Sequence, residues 1–246
     1  MLTGKNAVIT GANRGIGRAT VEVFAKNGAN IWACARKQDN MFEQDMTQIA
    51  EKHGVSIWPI YFDITNEVQT KLAVQSIHKT KLSIDILVNI AGVADESTSF
   101  TMTSMEKMKH VFAVNFFGIT SLTQYVSRMM IRQKCGSIVN IASVAGIDGT
   151  PAQYEYAGSK AALIGGTKEL ARELSQFNIR VNAIAPGIVE TNMGSQIGAD
   201  LKEATLARIT MNRMGRPEEI ANAIAFVSSD LASYITGQII RVDGGM

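Results

Sequence analysis

Between Gln153 and Lys160 the chain reads QYEYAGSK, with two tyrosines and one lysine. A phenol beside an ammonium is a proton donor of adjustable strength. The free phenol titrates near ~10, and a positive charge within hydrogen-bonding range lowers that by ~1–3 units. Such a group can protonate the alkoxide that forms when hydride reaches a ketone, or act as base in the reverse oxidation. On a helix, side chains four apart stack on one face, which pairs Lys160 with Tyr156. Four residues beyond Tyr154 stands Gly158, which has no side chain to offer, so Tyr154 is expected to pack at a pocket mouth. Ser143 follows the strand-like run Ser137–Ala142, where a hydroxyl can bond a substrate carbonyl and stabilise developing negative charge. The competing reading of Tyr156 and Lys160 is an ordinary solvent-facing helix pair.

These groups need a scaffold, and the rest of the chain describes one. Short apolar, β-branched runs occur at Ala7–Thr10, Asn30–Ala35, Ser56–Phe62, Ile84–Ile90, Ser137–Ala142, Arg180–Ala185 and Gln238–Val242. Several lack polar alternation, as strands covered on both faces of a parallel sheet do. Amphipathic segments lie between them; one beginning at Ala161 puts Leu163, Thr167, Leu170 and Leu174 on one face. Alternation at roughly 25–30 residues per unit predicts a doubly wound α/β (Rossmann) sheet of about seven parallel strands, helices on both faces. No repeat or linker divides the chain, so a single domain over 1–246 is expected, with 188–213 as a lid over substrate. Ligands of such sheets bind beyond the carboxyl ends of the strands. The first such end carries TGANRGIG, Thr10–Gly17, with a helix expected from near Gly15. Glycines there let the backbone approach a pyrophosphate, whose charge the helix N-terminus favours.

Composition narrows the field. Of 246 residues, 46% are hydrophobic and 19% charged, the balance of a globular protein, and a formal net charge of +2 favours neither nucleic acid nor anionic membrane as partner. No run approaches the ~18 apolar residues of a membrane span, and the chain is expected to be cytoplasmic. Cys34 and Cys135 are too isolated for a disulfide framework, and with His53, His78 and His110 they have no metal-ligand spacing, so no metal is expected.

Three patterns, T-G-x-x-x-G-x-G at Thr10–Gly17, Y-x-x-x-K at Tyr156–Lys160 and P-G-x-x-x-T at Pro186–Thr191, resemble the short-chain dehydrogenase/reductase family, from Lys5 to Met246. IRVNAIAPGIVETNM and YITGQIIRVDGGM most resemble its 3-oxoacyl-[acyl-carrier-protein] reductases. The resemblance implies catalytic roles for Asn115, Ser143, Tyr156 and Lys160, Asn115 holding a water that relays protons to the lysine, which also binds ribose. It implies cofactor contacts at Gly11, Asn13, Arg14, Gly15, Ile16, Gly17, Arg36, Asp63, Ile64, Asn89, Ala91, Gly92, Tyr156, Lys160, Pro186, Gly187, Ile188 and Thr191. Among these, Asp63 would hold the adenine amino group and Asn89, Ala91 and Gly92 would line the adenosine side of the groove. The family's Asn-Asn-Ala-Gly is here Asn89-Ile-Ala-Gly92. It further implies a homotetramer.

The cofactor's identity has a residue-level argument of its own. An acid after the second strand would accept the adenosine ribose hydroxyl of NAD. The chain has Arg36 there and no carboxylate until Asp39, so Arg36 and Arg14 would face a 2′-phosphate, and NADP(H) is expected. The substrate side is less determined. Met102, Met105 and Met108 are expected as helix core, and Met193, Met211 and Met214 as an adaptable apolar wall. Arg128, Arg132 and Lys134 offer a basic helix end to an acidic acyl carrier protein, while Phe177 departs from that subgroup's second basic position. The expected activity is NADPH-dependent reduction of a ketone, a 3-oxoacyl thioester of fatty acid biosynthesis first. The alternatives are a sugar, polyol, steroid or other small carbonyl, or a cofactor-binding regulatory protein without turnover.

Overall fold

The computed structural model describes residues 1–94, 96–191 and 206–246. Seven parallel strands form one sheet: β1 (Asn6–Thr10), β2 (Asn30–Ala35), β3 (Ile57–Tyr61), β4 (Ile86–Asn89), β5 (Gly136–Ile141), β6 (Ile179–Pro186) and β7 (Ile239–Val242). The order across the sheet is β3-β2-β1-β4-β5-β6-β7. Each expected strand is present, shifted at its ends by no more than the fraying of a hydrogen-bond ladder explains. The central strands β1 and β4 are buried along their whole length, which is why their sequences do not alternate.

Helices cover both faces. On one lie α1 (Gly15–Lys26), α2 (Asn40–His53) and α8 (Pro217–Ser228), which bury Phe24, Met46 and Ile224 against the sheet. On the other lie α3 (Glu67–Lys79), α5 (Ile119–Gln133) and α7 (Tyr154–Leu174), which bury Ile77, Val126 and Leu174. Here Trp32 of β2 stacks on Trp58 of β3 with ring centroids 5.4 Å apart. The short helices α4 (Met105–Phe112) and α6 (Ala145–Asp148) stand at the carboxyl edge.

Helix α7 begins seven residues earlier than its apolar periodicity suggests. The buried positions of its first two turns are Glu155, Ser159 and Lys160, all polar, so no hydrophobic stripe marks them. Met102 and Met105 are 78% and 63% exposed, not helix core as expected: they end a single 3-10 turn, Phe100–Met102, and begin α4. Of the expected apolar wall, Met214 is buried, Met211 is exposed and Met193 lies outside the described residues, as do positions 192–205 of the expected lid.

Candidate active site

The strand order reverses direction between β1 and β4, and the crevice at such a switch point is where doubly wound sheets bind ligands. The two strand ends touch there. Gly11 has a φ of +66°, and a Cβ on it would stand 3.1 Å from the Ala91 backbone. A Cβ on Gly17 would fall 1.9 Å from the Gly11 carbonyl oxygen, so only glycine lets α1 start this close to the loop. Thr10 ties the junction: its hydroxyl accepts from the amides of both Ile90 and Ala91. That clasp was not anticipated, although the Thr-Gly pair is its signal in the sequence.

Around this cradle the structure places the remaining loop residues. Asn13 and Arg14 are exposed, Ile16 is half-buried, and no side chain caps the first turn of α1. Arg36 is exposed just beyond β2, and among the described residues neither Arg14 nor Arg36 has an ion-pair partner. Asp39, the first acid after β2, accepts from the Met41 amide and caps α2. Asp63 follows β3 and accepts from the amide and hydroxyl of Thr65; those bonds hold its carboxyl below the usual range, with Arg36 adding to the effect. Ile64 is half-buried, its carbonyl against Gly118. Pro186 ends β6, Gly187 and Ile188 are half-buried beyond it, and the Thr191 methyl lies over Gly15.

Asn89 departs from expectation. It is wholly buried at the end of β4, and its amide donates to Asn140 on β5 and Thr123 on α5. Asn140 passes the chain on to Thr167 of α7. The Asn89 side chain therefore braces the interior instead of lining the groove, because the strand pleat turns it toward α5 and α7. Ala91 and Gly92, two and three residues later, do stand at the edge, half-buried.

The catalytic candidates gather on the same edge. Ser143 is nearly buried after β5, its hydroxyl accepting from the Ala145 amide at 3.1 Å. Tyr156 and Lys160 share one face of α7, with the ammonium 5.8 Å from the phenol ring centroid. Lys160 is 3% exposed and donates to the Ile141 carbonyl at 2.7 Å, directly below the strand end that carries Ser143. Burial pushes the Tyr156 phenol up, with Ser143 pulling the other way, and brings Lys160 down to about 8. The phenol of the free protein is thus raised, where pairing with lysine alone suggests lowering: burial outweighs the Ser143 bond while Lys160 spends its hydrogen bond on Ile141.

Asn115 sits in a π-helical turn, Ala113–Gly118, between α4 and α5. Its amide donates to the Val93 carbonyl (2.9 Å) and the Ser159 hydroxyl (3.1 Å), while its oxygen accepts from the Val93 amide (2.8 Å). Both amide hydrogens are spent, leaving one lone pair on Oδ1 for a water. A Cβ at Gly92 would lie 3.2 Å from that oxygen and 3.5 Å from the Lys160 ammonium, so the two groups face one point. Single-turn π-helices inside α-helices are frequent at functional sites, and nothing in hydrophobic pattern announces one.

A family model described as enoyl-(acyl carrier protein) reductase matches residues 11–246. The 3-oxoacyl-[acyl-carrier-protein] reductase of Thermotoga maritima is 42% identical over 245 residues, spanning 100% of this chain and 98% of that protein. The chain belongs to the short-chain dehydrogenase/reductase family. The Aquifex aeolicus 3-oxoacyl-[acyl-carrier-protein] reductase is 39% identical over 245 residues, covering 100% of this chain and 98% of that one. The crystal structure of the 3-oxoacyl-[acyl-carrier protein] reductase from Brucella melitensis superposes with a TM-score of 0.88 at 31% identity, covering 100% of this chain and 92% of that chain. Family membership makes this chain an oxidoreductase acting between alcohols and ketones with a nicotinamide cofactor. The glycine cradle, the uncapped first turn of α1 and the cations beside it suit such a dinucleotide. Among the described residues no cluster of potential metal ligands is found, and no helix is long and apolar enough to cross a membrane.

Proposed function

We propose that this protein reduces a 3-oxoacyl thioester to the 3-hydroxyacyl thioester with NADPH, acting on acyl groups carried by an acyl carrier protein. The observation that carries this reading is the convergence of Ser143, Tyr156 and Lys160 beside the switch-point cradle, in a chain similar over its whole length to proteins named for that reaction.

Bound at the cradle, the reduced nicotinamide supplies the hydride. The remaining work falls to this chain's residues. Ser143 donates to the carbonyl oxygen as negative charge grows on it. Tyr156 gives its proton to the same oxygen. Its raised pKa keeps the phenol protonated and ready as an acid at neutral pH. Lys160, charged below about pH 8, stabilises the phenolate left behind. Asn115 holds Val93 and Ser159, fixing the floor on which Lys160 stands. Pro186, Gly187, Ile188 and Thr191 flank the nicotinamide side, Asn13, Ile16 and Ile64 the dinucleotide, and Asp63 the adenine.

NADPH is favoured over NADH by charge. Arg14 and Arg36 are exposed cations, and the first acid after β2, Asp39, stands beyond the strand end as the cap of α2, while Arg36 takes the position just after β2 where an acid would favour NAD. We read the chain as one domain acting as a homotetramer. Arg128, Arg132 and Lys134, all exposed at the end of α5, are the basic docking point for carrier protein.

The test is NADPH oxidation by the purified protein with acetoacetyl-CoA, beside crotonyl-CoA and a panel of sugar, polyol and steroid ketones. Turnover of acetoacetyl-CoA above all others supports the proposal. Preference for crotonyl-CoA would mean reduction of a carbon–carbon double bond instead, and preference for another ketone would move the substrate class.

A further inference from the structure

A costly polar arrangement outside the catalytic residues is the ion pair of Lys107 and Glu155. Glu155 occupies the first turn of α7, next to Tyr156, with its side chain 3% exposed; that of Lys107, on α4, is 18% exposed. The ammonium makes three contacts, to Glu155 Oε1 at 3.1 Å, the Glu96 carbonyl at 2.6 Å and the Thr98 hydroxyl at 3.1 Å. Two of these are hydrogen bonds, to Glu96 and Thr98, and the third is an ion pair. Glu155 Oε2 is buried with no hydrogen-bond partner. Desolvating two charges and leaving one oxygen unpaired makes this a poor way to stabilise a fold, since apolar replacement of a buried pair is commonly neutral or favourable.

What the pair does is join three pieces of chain. The Thr98 amide donates to the carbonyl of Ala152, itself held at a φ of +61°. The ring of Phe100 lies 4.8 Å from that of Tyr154. The loop after β4 is thus laced onto the run 152–155 leading into Tyr156, while Asn115 grips the loop's start through both backbone groups of Val93. Both anchors belong to elements that carry catalytic candidates.

We propose that Lys107 and Glu155 are positioning residues that lock the loop after β4 against the start of α7, and so shape the substrate side of the site without contacting the cofactor. The substrate-facing role rests on the carbonyl-reductase reading given above.

The experiment replaces the pair with Lys107→Met/Glu155→Leu, which strands no charge, beside the conservative Glu155→Gln, which keeps an oxygen for the ammonium. Hydrogen exchange of peptides spanning 96–104 is measured with NADPH affinity, kcat and KM for acetoacetyl-CoA. In the double variant exchange should quicken at least tenfold and KM rise at least fivefold, with kcat and NADPH affinity within about twofold of wild type. Glu155→Gln should stay near wild type in both. Unchanged exchange in the folded double variant would overturn the anchor, and quickened exchange with unchanged KM would overturn its role at the substrate side. If that double variant does not fold, Lys107→Met with Glu155→Gln, which removes the ammonium and strands no charge, is read the same way. Exchange needs no substrate: a wild type inert toward acetoacetyl-CoA sinks the substrate reading, and KM is then read with whichever ketone the wild type reduces.

Discussion

The ammonium of Lys160 stands 5.8 Å from the centre of the Tyr156 ring and spends its 2.7 Å hydrogen bond on the carbonyl of Ile141. The lysine is therefore held by the strand that delivers Ser143, and the tyrosine by the same helix as the lysine. A shift of β5 against α7 would disturb all three groups together.

Burying Lys160 carries a cost that depends on pH. Its pKa falls from 10.5 to about 8 in the folded protein. Between those values the unfolded chain binds the proton and the folded one does not, so stability rises with pH across the window. The full effect is roughly 3 kcal/mol, with the charge penalty wholly present below pH 8 and relieved toward pH 10.5. Urea unfolding of the cofactor-free protein at pH 7 and pH 10 should show wild type gaining on Lys160→Met by an amount of that order. Parallel pH profiles for the two proteins would contradict the burial assigned to Lys160.

Cofactor choice should turn on Arg36. Hydrogen bonds to charged groups contribute about 1.5–3 kcal/mol, or roughly ten- to 150-fold in kcat/KM. Arg36→Asp should lower kcat/KM for NADPH by that range and raise it for NADH, since the new acid can accept from a ribose hydroxyl. Steady-state kinetics with both cofactors checks this. An unaltered NADPH-to-NADH ratio would place the 2′-phosphate elsewhere.

Gly17→Ala tests the cradle. The added methyl would meet the Gly11 carbonyl at 1.9 Å, so the loop or helix must move. Overpacking of this kind costs about 1–3 kcal/mol. Thermal unfolding should show that loss, and NADPH titration by fluorescence should show at least tenfold weaker binding. Normal binding at normal stability would mean the loop is slack.

The sheet was readable because its strands are short, apolar and β-branched, and because loops of glycine and polar residues separate them. The pairing of Lys160 with Tyr156 followed from helical spacing alone. Other features were hidden for physical reasons. The start of α7 buries Glu155, Ser159 and Lys160, which hydrophobic periodicity cannot see. The inward turn of Asn89 is set by strand pleat and by partners 34 and 51 residues away, Thr123 and Asn140. The exposure of Met102 and Met105 follows from a break between a 3-10 turn and α4 that three-residue spacing does not announce. The direction of the Tyr156 shift needed knowledge of burial, which a motif does not carry.

The central claim is that Tyr156 delivers the proton, and Tyr156→Phe tests it most directly, with kcat for acetoacetyl-CoA reduction measured beside NADPH affinity. A positioned general acid contributes about 10²–10⁴ in rate, so kcat should fall by at least a hundredfold while NADPH binds within a few-fold of wild type. A variant that keeps more than a tenth of wild-type kcat would show that the proton comes from another group.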